Sequence, residues 1–428
     1  MITKEYVQDL DEKDPLNKYI DQFVRTDEEL CYLDGNSLGR LPKKTIDVIN
    51  NFLLNEWGNQ LVSGWTNWID EAQRVGDLLG ESALGASKGQ ILVTDTTSVN
   101  FYRACIAAIK LNPNKKTIIA DEANFPTDRY IIQEIAKEFN LKLITIKNDI
   151  NLDKNGNYNL ENELITPDIL NKHLTDDVCL VTLSVVQYRS GALNDVKKLT
   201  EIIHANNSIV VWDASHAIGV VDLKFDESNV DFAIGCTYKY GNSGPGAPAW
   251  IYINKRHQEK ANLPINGWFA QKDQFLMGSK FQQADGMRGF QIASPSILGL
   301  RCVKTSFEMI KEASIKEIFK KAAIGTEMMI KMFDELLAPL GFELTTPRDK
   351  NSRGGHISIF HKDAEKIARG LRIEKNVIPD YRVPNCIRLA ISPLTNTYQE
   401  IFEGFLRIYD YVKSEKYKNL GNPESEVT

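Results

Sequence analysis

The stretch Val230–Ile253, VDFAIGCTYKYGNSGPGAPAWIYI, decides how the rest of the chain is read. Both ends are apolar runs of strand length, and between them Lys239 stands among Gly241, Asn242, Ser243, Gly244, Pro245 and Gly246. A lysine set among small, turn-forming residues at a strand end can come close to a bound group, because glycine permits backbone geometries and approaches that bulkier residues forbid. On its own, a loop lysine is most often a solvated surface charge. The residues upstream change that reading.

The run SIVVWD ends in Asp213 and continues Ala214-Ser215-His216, one excursion and one strand before Lys239. An aspartate closing a buried strand is costly unless a cation pairs with it. Read alone, Asp213 could equally cap a helix. Paired with the lysine loop, it suits a protonated pyridine nitrogen. Pyridoxal phosphate (PLP) is an electron sink when that nitrogen keeps its proton, and its recurring partners are an acid there and a Schiff-base lysine at the aldehyde. Further upstream, Thr94-Asp95-Thr96-Thr97-Ser98-Val99-Asn100 joins the strand ILV to a helical pattern. Hydroxyls and free amides at a helix start make an anion site, although the same residues in isolation read as a plain N-cap. Together the three elements predict a PLP site with Lys239 as the Schiff-base residue.

The flanking sequence supplies a matching scaffold. ILVT from Ile91, TIIA from Thr117, LKLITI from Leu141, VCLVTLS from Val178, SIVVWD and VDFAIG alternate with helix-period segments such as TDRYIIQEIAKEF and DVKKLTEIIHANN. Short apolar strands separated by crossover helices predict an α/β fold with a mainly parallel sheet covered on both faces, its ligand at the carboxyl ends of the strands. After about residue 296 the pattern turns to long helices, then to short strands near HISIF and IRLAISP and a helix from Thr397. This predicts a smaller α+β C-terminal domain. The chain divides into a loop-rich N-terminal segment at 1–58 packing with the small domain, a large PLP-binding domain at 59–300, a small domain at 301–414 and a solvated tail at 415–428.

Composition narrows the function classes. At 428 residues the chain is too long for one ordinary core. The formal charge of -6 is spread without a basic block, so nothing asks for nucleic acid, and the expected partners are small molecules and copies of the chain. Six dispersed cysteines, without C-x-x-C or closely spaced histidines, fit a reducing compartment and predict no metal site. The polar N-terminus and the lack of a long apolar run predict a cytoplasmic protein without a membrane span.

The segments taken together resemble the fold-type I PLP enzymes and, among them, the kynureninase family. The resemblance runs from Tyr32-Leu33-Asp34-Gly35-Asn36-Ser37-Leu38-Gly39 to Cys386-Ile387-Arg388-Leu389, and includes Asp95-Thr96-Thr97-Ser98, Phe125-Pro126-Thr127-Asp128, Asp213-Ala214-Ser215-His216, the Tyr238-Lys239 loop and Gly267-Trp268-Phe269. Single motifs of this kind are weak, and seven in one order are strong. The resemblance implies that Thr97 and Ser98 hold the phosphate, that Phe125 stacks on the pyridine ring and that Asp128 contacts its substituents. It further implies that Ser184 lies near the cofactor, that Asp213 and His216 serve the pyridine side, and that Tyr238 contacts the phosphate and transfers protons. Trp268 and Ser294 would close the site from a partner subunit in a homodimer, with serine where the family commonly has asparagine or threonine. Arg388 would clamp the substrate α-carboxylate with its planar fork.

The activity so implied is hydrolytic Cβ–Cγ cleavage of L-kynurenine, its 3-hydroxy form, or both, to anthranilate or 3-hydroxyanthranilate and L-alanine, a step of tryptophan catabolism and NAD biosynthesis. A class V aminotransferase or cysteine desulfurase would share fold, aspartate, histidine and lysine. A desulfurase needs a nucleophilic cysteine on a flexible loop, and no cysteine here has that setting. A PLP-fold binding module without catalysis predicts loss of Lys239 or Asp213, and both are present.

Overall fold

The structure is a computed structural model that describes residues 2–147 and 163–421. Its N-terminal segment, read as loop-rich from sequence, begins with a helix, α1 (Lys4–Glu12); Thr3 caps it by accepting from the Tyr6 amide. Seven strands then form the central sheet: β1 (Ile91–Val93), β2 (Thr117–Asp121), β3 (Lys142–Ile146), β4 (Val178–Ser184), β5 (Ile209–Asp213), β6 (Phe232–Gly235) and β7 (Trp250–Ile253). Their spatial order is β1-β7-β6-β5-β4-β2-β3. All neighbours are parallel except β7, which runs antiparallel to both β6 and β1.

Every residue of β4 and β5 is buried, as β-branched strands covered on both faces require. The edge strand β3 departs from that expectation, with Lys142 and Thr145 exposed and only Ile146 fully buried. An edge strand has one neighbour and less cover, and its charged Lys142 discourages pairing with other chains. The helices that cross between strands include α2 (Thr97–Leu111), α3 (Pro126–Glu138) and α4 (Val196–Ala205). Two long helices follow, α5 (Ile297–Ala313) and α6 (Ile315–Met332).

The C-terminal part is a four-stranded antiparallel sheet, β8 (Glu343–Leu344), β9 (His356–Phe360), β10 (Asp380–Arg382) and β11 (Cys386–Ala390), in the order β10-β11-β9-β8. Helix α7 (Ala364–Glu374) packs on it, and α8 (Tyr398–Lys413) packs on α1, α6 and α7. The N-terminal segment is fastened to this part by matched charges and amides. Asp11 accepts from the first free amides of α8, Tyr398 and Gln399, at 2.8 and 2.9 Å, satisfying donors that a helix start leaves open. Lys321 and Asp14 form a buried ion pair at 2.6 Å, Arg25 and Arg40 share Glu400, and Cys31–Tyr32 pairs in parallel with Val377–Ile378.

Beyond α8, the segment read as a solvated tail is partly ordered. Lys416–Asn419 form a 3-10 turn with Tyr417 buried near His361 and Tyr411. The aromatic ring anchors what the polar composition around it suggested was free. Residues 422–428 of that segment, and 148–162 within the large-domain range, lie outside the described residues. No helix among the described residues is long and apolar enough to cross a membrane.

Candidate active site

A cavity of about 390 Å³ opens at the carboxyl ends of β4, β5 and β6. Its walls come from the strand ends, the start of α2, the entry to α3, the Lys239 loop, Asn36 and Ser37 of the N-terminal segment, and Arg382 and Arg388 of the second sheet.

Local sequence explains how each wall is held. Thr96 has extended backbone and caps α2, its side chain accepting from the Val99 amide at 3.3 Å. By helix geometry the amides of Thr97 and Ser98 have no intrahelical acceptor and face the cavity at the positive end of a 15-residue helix. Pro126 sits at the first position of α3, where its fixed φ suits the helix, and holds Phe125 in extended backbone before it. Phe125 thereby projects into the cavity, edge-on to Tyr188 with ring centroids 5.3 Å apart, yet it is 41% exposed. Lys239 Nζ stands over this ring, 5.9 Å from its centroid.

The Lys239 loop is rigid. Asn242 takes a left-handed φ of 53°, its amide bonds the Lys239 carbonyl at 2.9 Å, and the Thr237 hydroxyl bonds the Pro248 carbonyl at 2.9 Å. Gly39 packs against it, donating its amide to the Tyr238 carbonyl at 2.8 Å. A Cβ at Gly39 would stand 2.4 Å from the Lys239 carbonyl oxygen, so that glycine is required by close approach.

The ionisable groups are arranged by burial. Lys239 Nζ lies 2.7 Å from His216 Nε2. Burial, then the charges of Lys239 and Arg388, hold the His216 imidazole well below the ordinary histidine range, so a neutral ring stands beside the lysine amine. Burial likewise lowers the Lys239 ammonium, while neighbouring Cys236 and Asp213 favour its charged form. Asp213 closes β5 and accepts from the Ser215 amide at 2.7 Å. Asp128, in the first turn of α3, is hydrogen-bonded to Asp213, and burial followed by that neighbouring charge pushes its carboxyl far above the carboxylate range. Its Oδ2 is buried without a partner. Burial first, then Cys236, raises the Tyr238 phenol, which keeps its proton at neutral pH.

These residues fit PLP on observations of the chain itself: an exposed aromatic ring at Phe125 in the cavity wall, a buried carboxyl pair with an unpartnered oxygen, open amides at a helix start, and a buried amine. Thr97, Ser98, Phe125, Asp128, Ser184, Asp213, His216, Tyr238, Lys239 and Arg388 all line the cavity. Asp128 meets the Asp213 carboxyl, which puts it beside the position expected of the ring nitrogen. Ser184 is fixed by Asn124, its hydroxyl donating to Asn124 Oδ1 at 3.1 Å. Trp268 and Ser294 do not reach this cavity. Trp268 is 45% exposed and donates to the Gln274 carbonyl, and Ser294 lines a separate apolar groove with Phe52, Trp57 and Trp65.

The curated kynureninase of Geobacillus thermodenitrificans (strain NG80-2) is 33% identical over 435 residues, covering 99% of this chain and 98% of that protein. That of Bacillus anthracis is 34% identical over 436 residues, with 99% and 98% covered. The chain belongs to the kynureninase family. The model of the kynureninase C-terminal domain also matches residues 318–407, which hold β8 to β11 and Arg388. Among solved structures, the apo cysteine desulfurase of Thermococcus onnurineus NA1 superposes with a TM-score of 0.73 at 18% identity, covering 97% of this chain and 99% of that one. At that identity the likeness carries the fold, that of fold-type I PLP enzymes. None of the described cysteines lines the cavity, and Cys302 lies on α5.

Several cavity residues were given no role from sequence: Asn36, Ser37, Thr127, Tyr188 and Arg382. Ser37 stands inside the Asp34–Gly39 motif, and Tyr188 follows the end of β4. Arg382 was the least legible, being an arginine on a three-residue strand whose neighbour across the ladder is known only from the fold.

Proposed function

We propose that the chain is a PLP-dependent kynureninase, cleaving L-kynurenine, its 3-hydroxy form, or both, between Cβ and Cγ with water to give the anthranilate product and L-alanine. The observation that carries this reading is the buried Lys239 amine in a cavity shared with the Asp128–Asp213 pair, in a chain alike over nearly its whole length to curated kynureninases.

In this reading Lys239 would hold the cofactor aldehyde, Thr97 and Ser98 its phosphate, Phe125 one ring face, and Asp213 with Asp128 the ring nitrogen. When bound, PLP supplies an electron sink for negative charge developing at the substrate Cα. Lys239 Nζ, with its charged form disfavoured by burial, is the base for the Cα proton, and His216 Nε2 orients it. Tyr238 retains its phenolic proton and would supply it to Cβ as the Cβ–Cγ bond breaks, giving the methyl group of L-alanine while the anthranilate half departs. Arg388 attracts the α-carboxylate.

The reading extends to a cytoplasmic homodimer in which Trp268 and Ser294 of one copy close the cavity of the other. Exposed Leu61 and Val62 line the groove that holds Ser294, exposed Phe275 lies edge-on to Trp268, and apolar side chains exposed at these places favour burial by a partner. The test is chemical. Purified protein with PLP and L-kynurenine should release anthranilate and L-alanine in equal amounts without a keto acid. A requirement for a keto acid, or sulfide release from cysteine, would replace this reading with an aminotransferase or a desulfurase.

A further inference from the structure

Arg388 cannot clamp a carboxylate alone, because its guanidinium is almost fully engaged by protein. Its Nε and Nη2 bond Asp380, Nη2 also donates to Ser37 Oγ at 2.9 Å, and Nη1 donates to the Tyr188 carbonyl. A guanidinium has five N–H donors, so one hydrogen on Nη1 is left for a ligand. A bidentate grip needs two.

The missing donors stand two residues beyond Asp380. Asp380 is directly opposite Arg388 in the antiparallel ladder, and Arg382, on the same face of β10, pairs with Cys386. Arg382 Nη1 lies 3.1 Å from Asp380 Oδ1 and 3.1 Å from the Tyr381 carbonyl. Its Nε and Nη2 donate to no described residue. The side chain is one-third exposed and lines the cavity with Arg388, and its charge is felt at Lys239 and His216. One carboxylate, Asp380, therefore contacts two guanidinium groups, and the donors that it leaves open on Arg382 lie at the cavity.

We propose that Arg382 is a substrate-binding residue: the α-carboxylate is received jointly by Arg382 and the one remaining Nη1 hydrogen of Arg388, with Asp380 as their common counter-ion. This rests on the reading above that the cavity takes an α-amino acid. The arrangement gives Arg388 the role of a fixed floor and Arg382 that of the mobile arm, since a partly exposed arginine with free donors can reorient at little cost while a four-fold bonded one cannot.

The test uses PLP-loaded protein and a ligand pair differing only at the carboxyl group, L-alanine and L-alaninamide, each titrated as an inhibitor and by the change in cofactor absorbance. Wild type should favour L-alanine. Arg382→Gln should weaken L-alanine about ten- to a hundredfold, the scale of a lost charge-assisted hydrogen bond, and leave L-alaninamide unchanged. It should also raise KM for L-kynurenine more than it lowers kcat. Arg382→Lys, which keeps the charge without the fork, should fall between, and retained cofactor colour reports an intact fold in both variants. If Arg382→Gln discriminates the pair as well as wild type does, the proposal is wrong and the amino-acid reading stands. If wild type itself does not discriminate, both fall.

Discussion

The two ends of strands β5 and β6 carry the same residue types to opposite purposes. At the carboxyl end, Asp213 and His216 face Lys239, and the site holds unpartnered buried atoms, His216 Nδ1 and Asp128 Oδ2. At the amino end, Asp231 is as deeply buried but fully answered: His204 and His257 approach its two oxygens at 2.8 and 2.7 Å, Arg256 pairs with it, and the Val210 amide donates at 2.9 Å. Buried polar groups without partners cost stability, so they persist where a ligand or a reaction completes them, whereas a saturated cluster fastens the fold. Incomplete satisfaction, more than residue type, separates the working end from the structural one.

The widest separation between the ends should come from Lys239→Ala. Loss of its proton transfer alone predicts a fall in turnover of about 10²–10⁴-fold, and loss of cofactor attachment adds to it. The yellow colour of covalently held cofactor should disappear while the melting temperature of the apoprotein holds or rises, since a buried amine is removed. Wild-type turnover in this variant would remove Lys239 from the mechanism. Asp213→Asn comes next. Without the anion, the ring nitrogen loses the partner that keeps it protonated, and a shift of one to two pKa units there corresponds to about a ten- to a hundredfold fall in kcat. Its apoprotein should be no less stable than wild type by thermal melting.

Asp231→Asn should do the reverse. Breaking the cluster strands His204, His257 and Arg256 around a neutral amide, and because those partners are partly exposed the cost is about 2–3 kcal/mol, below that of a wholly buried pair. Turnover per folded molecule should not change. Burial raises the Asp231 carboxyl, but the hydrogen bonds and charges of its partners outweigh it and hold the group well below the carboxylate range. A carboxyl lowered on folding stabilises the native state above its unfolded value near 4, and that stability is lost as pH falls toward the folded value. Denaturant midpoints measured from pH 5 down to pH 3 should therefore fall more steeply in wild type than in Asp231→Asn. Equal slopes would mean that the cluster does not couple folding to protons.

How much of this was legible in sequence follows the same division. Lys239, Asp213 and the Thr96–Ser98 turn could be read because each is decided within a few residues: a glycine-rich loop, a strand end, a helix start. The parallel sheet followed from its apolar runs, though β3 proved half-exposed because edge position is a property of strand order, which periodicity does not carry. Arg388 was given a fork for the substrate because its contacts with Ser37 and Tyr188 come from segments far away in the chain, and Arg382 was missed because its place beside Arg388 depends on the pairing of β10 with β11. The Asp231 cluster left no signal, since His204 and His257 meet it only after α4 and β7 have packed.

The finest test of the comparison concerns Asp34, which lies beside the arginines at the working end. Its carboxyl is raised to about 6, first by burial and then by the charge of Asp380, with Ser37 and Arg388 opposing. Its Oδ1 is buried without a partner, so it is another incompletely satisfied group. Above pH 6 the negative charges of Asp34 and Asp380 balance Arg382 and Arg388. Below pH 6 Asp34 takes a proton and the group gains one positive charge. L-Alanine, whose carboxylate stays ionised throughout, should accordingly bind the PLP-loaded protein about three- to tenfold more tightly at pH 5 than at pH 7, a size set by one unit charge several ångströms away in a partly solvated site. Asp34→Asn should hold the tighter value at both pH values. The same raised carboxyl also favours the folded protein at low pH, with that contribution lost as pH rises through 6, so Asp34→Asn should gain stability relative to wild type at pH 7 and match it near pH 4. A wild-type affinity that does not weaken between pH 5 and 7, or an Asp34→Asn protein that keeps the full pH dependence, would show that the charge at the carboxylate end is set by other groups.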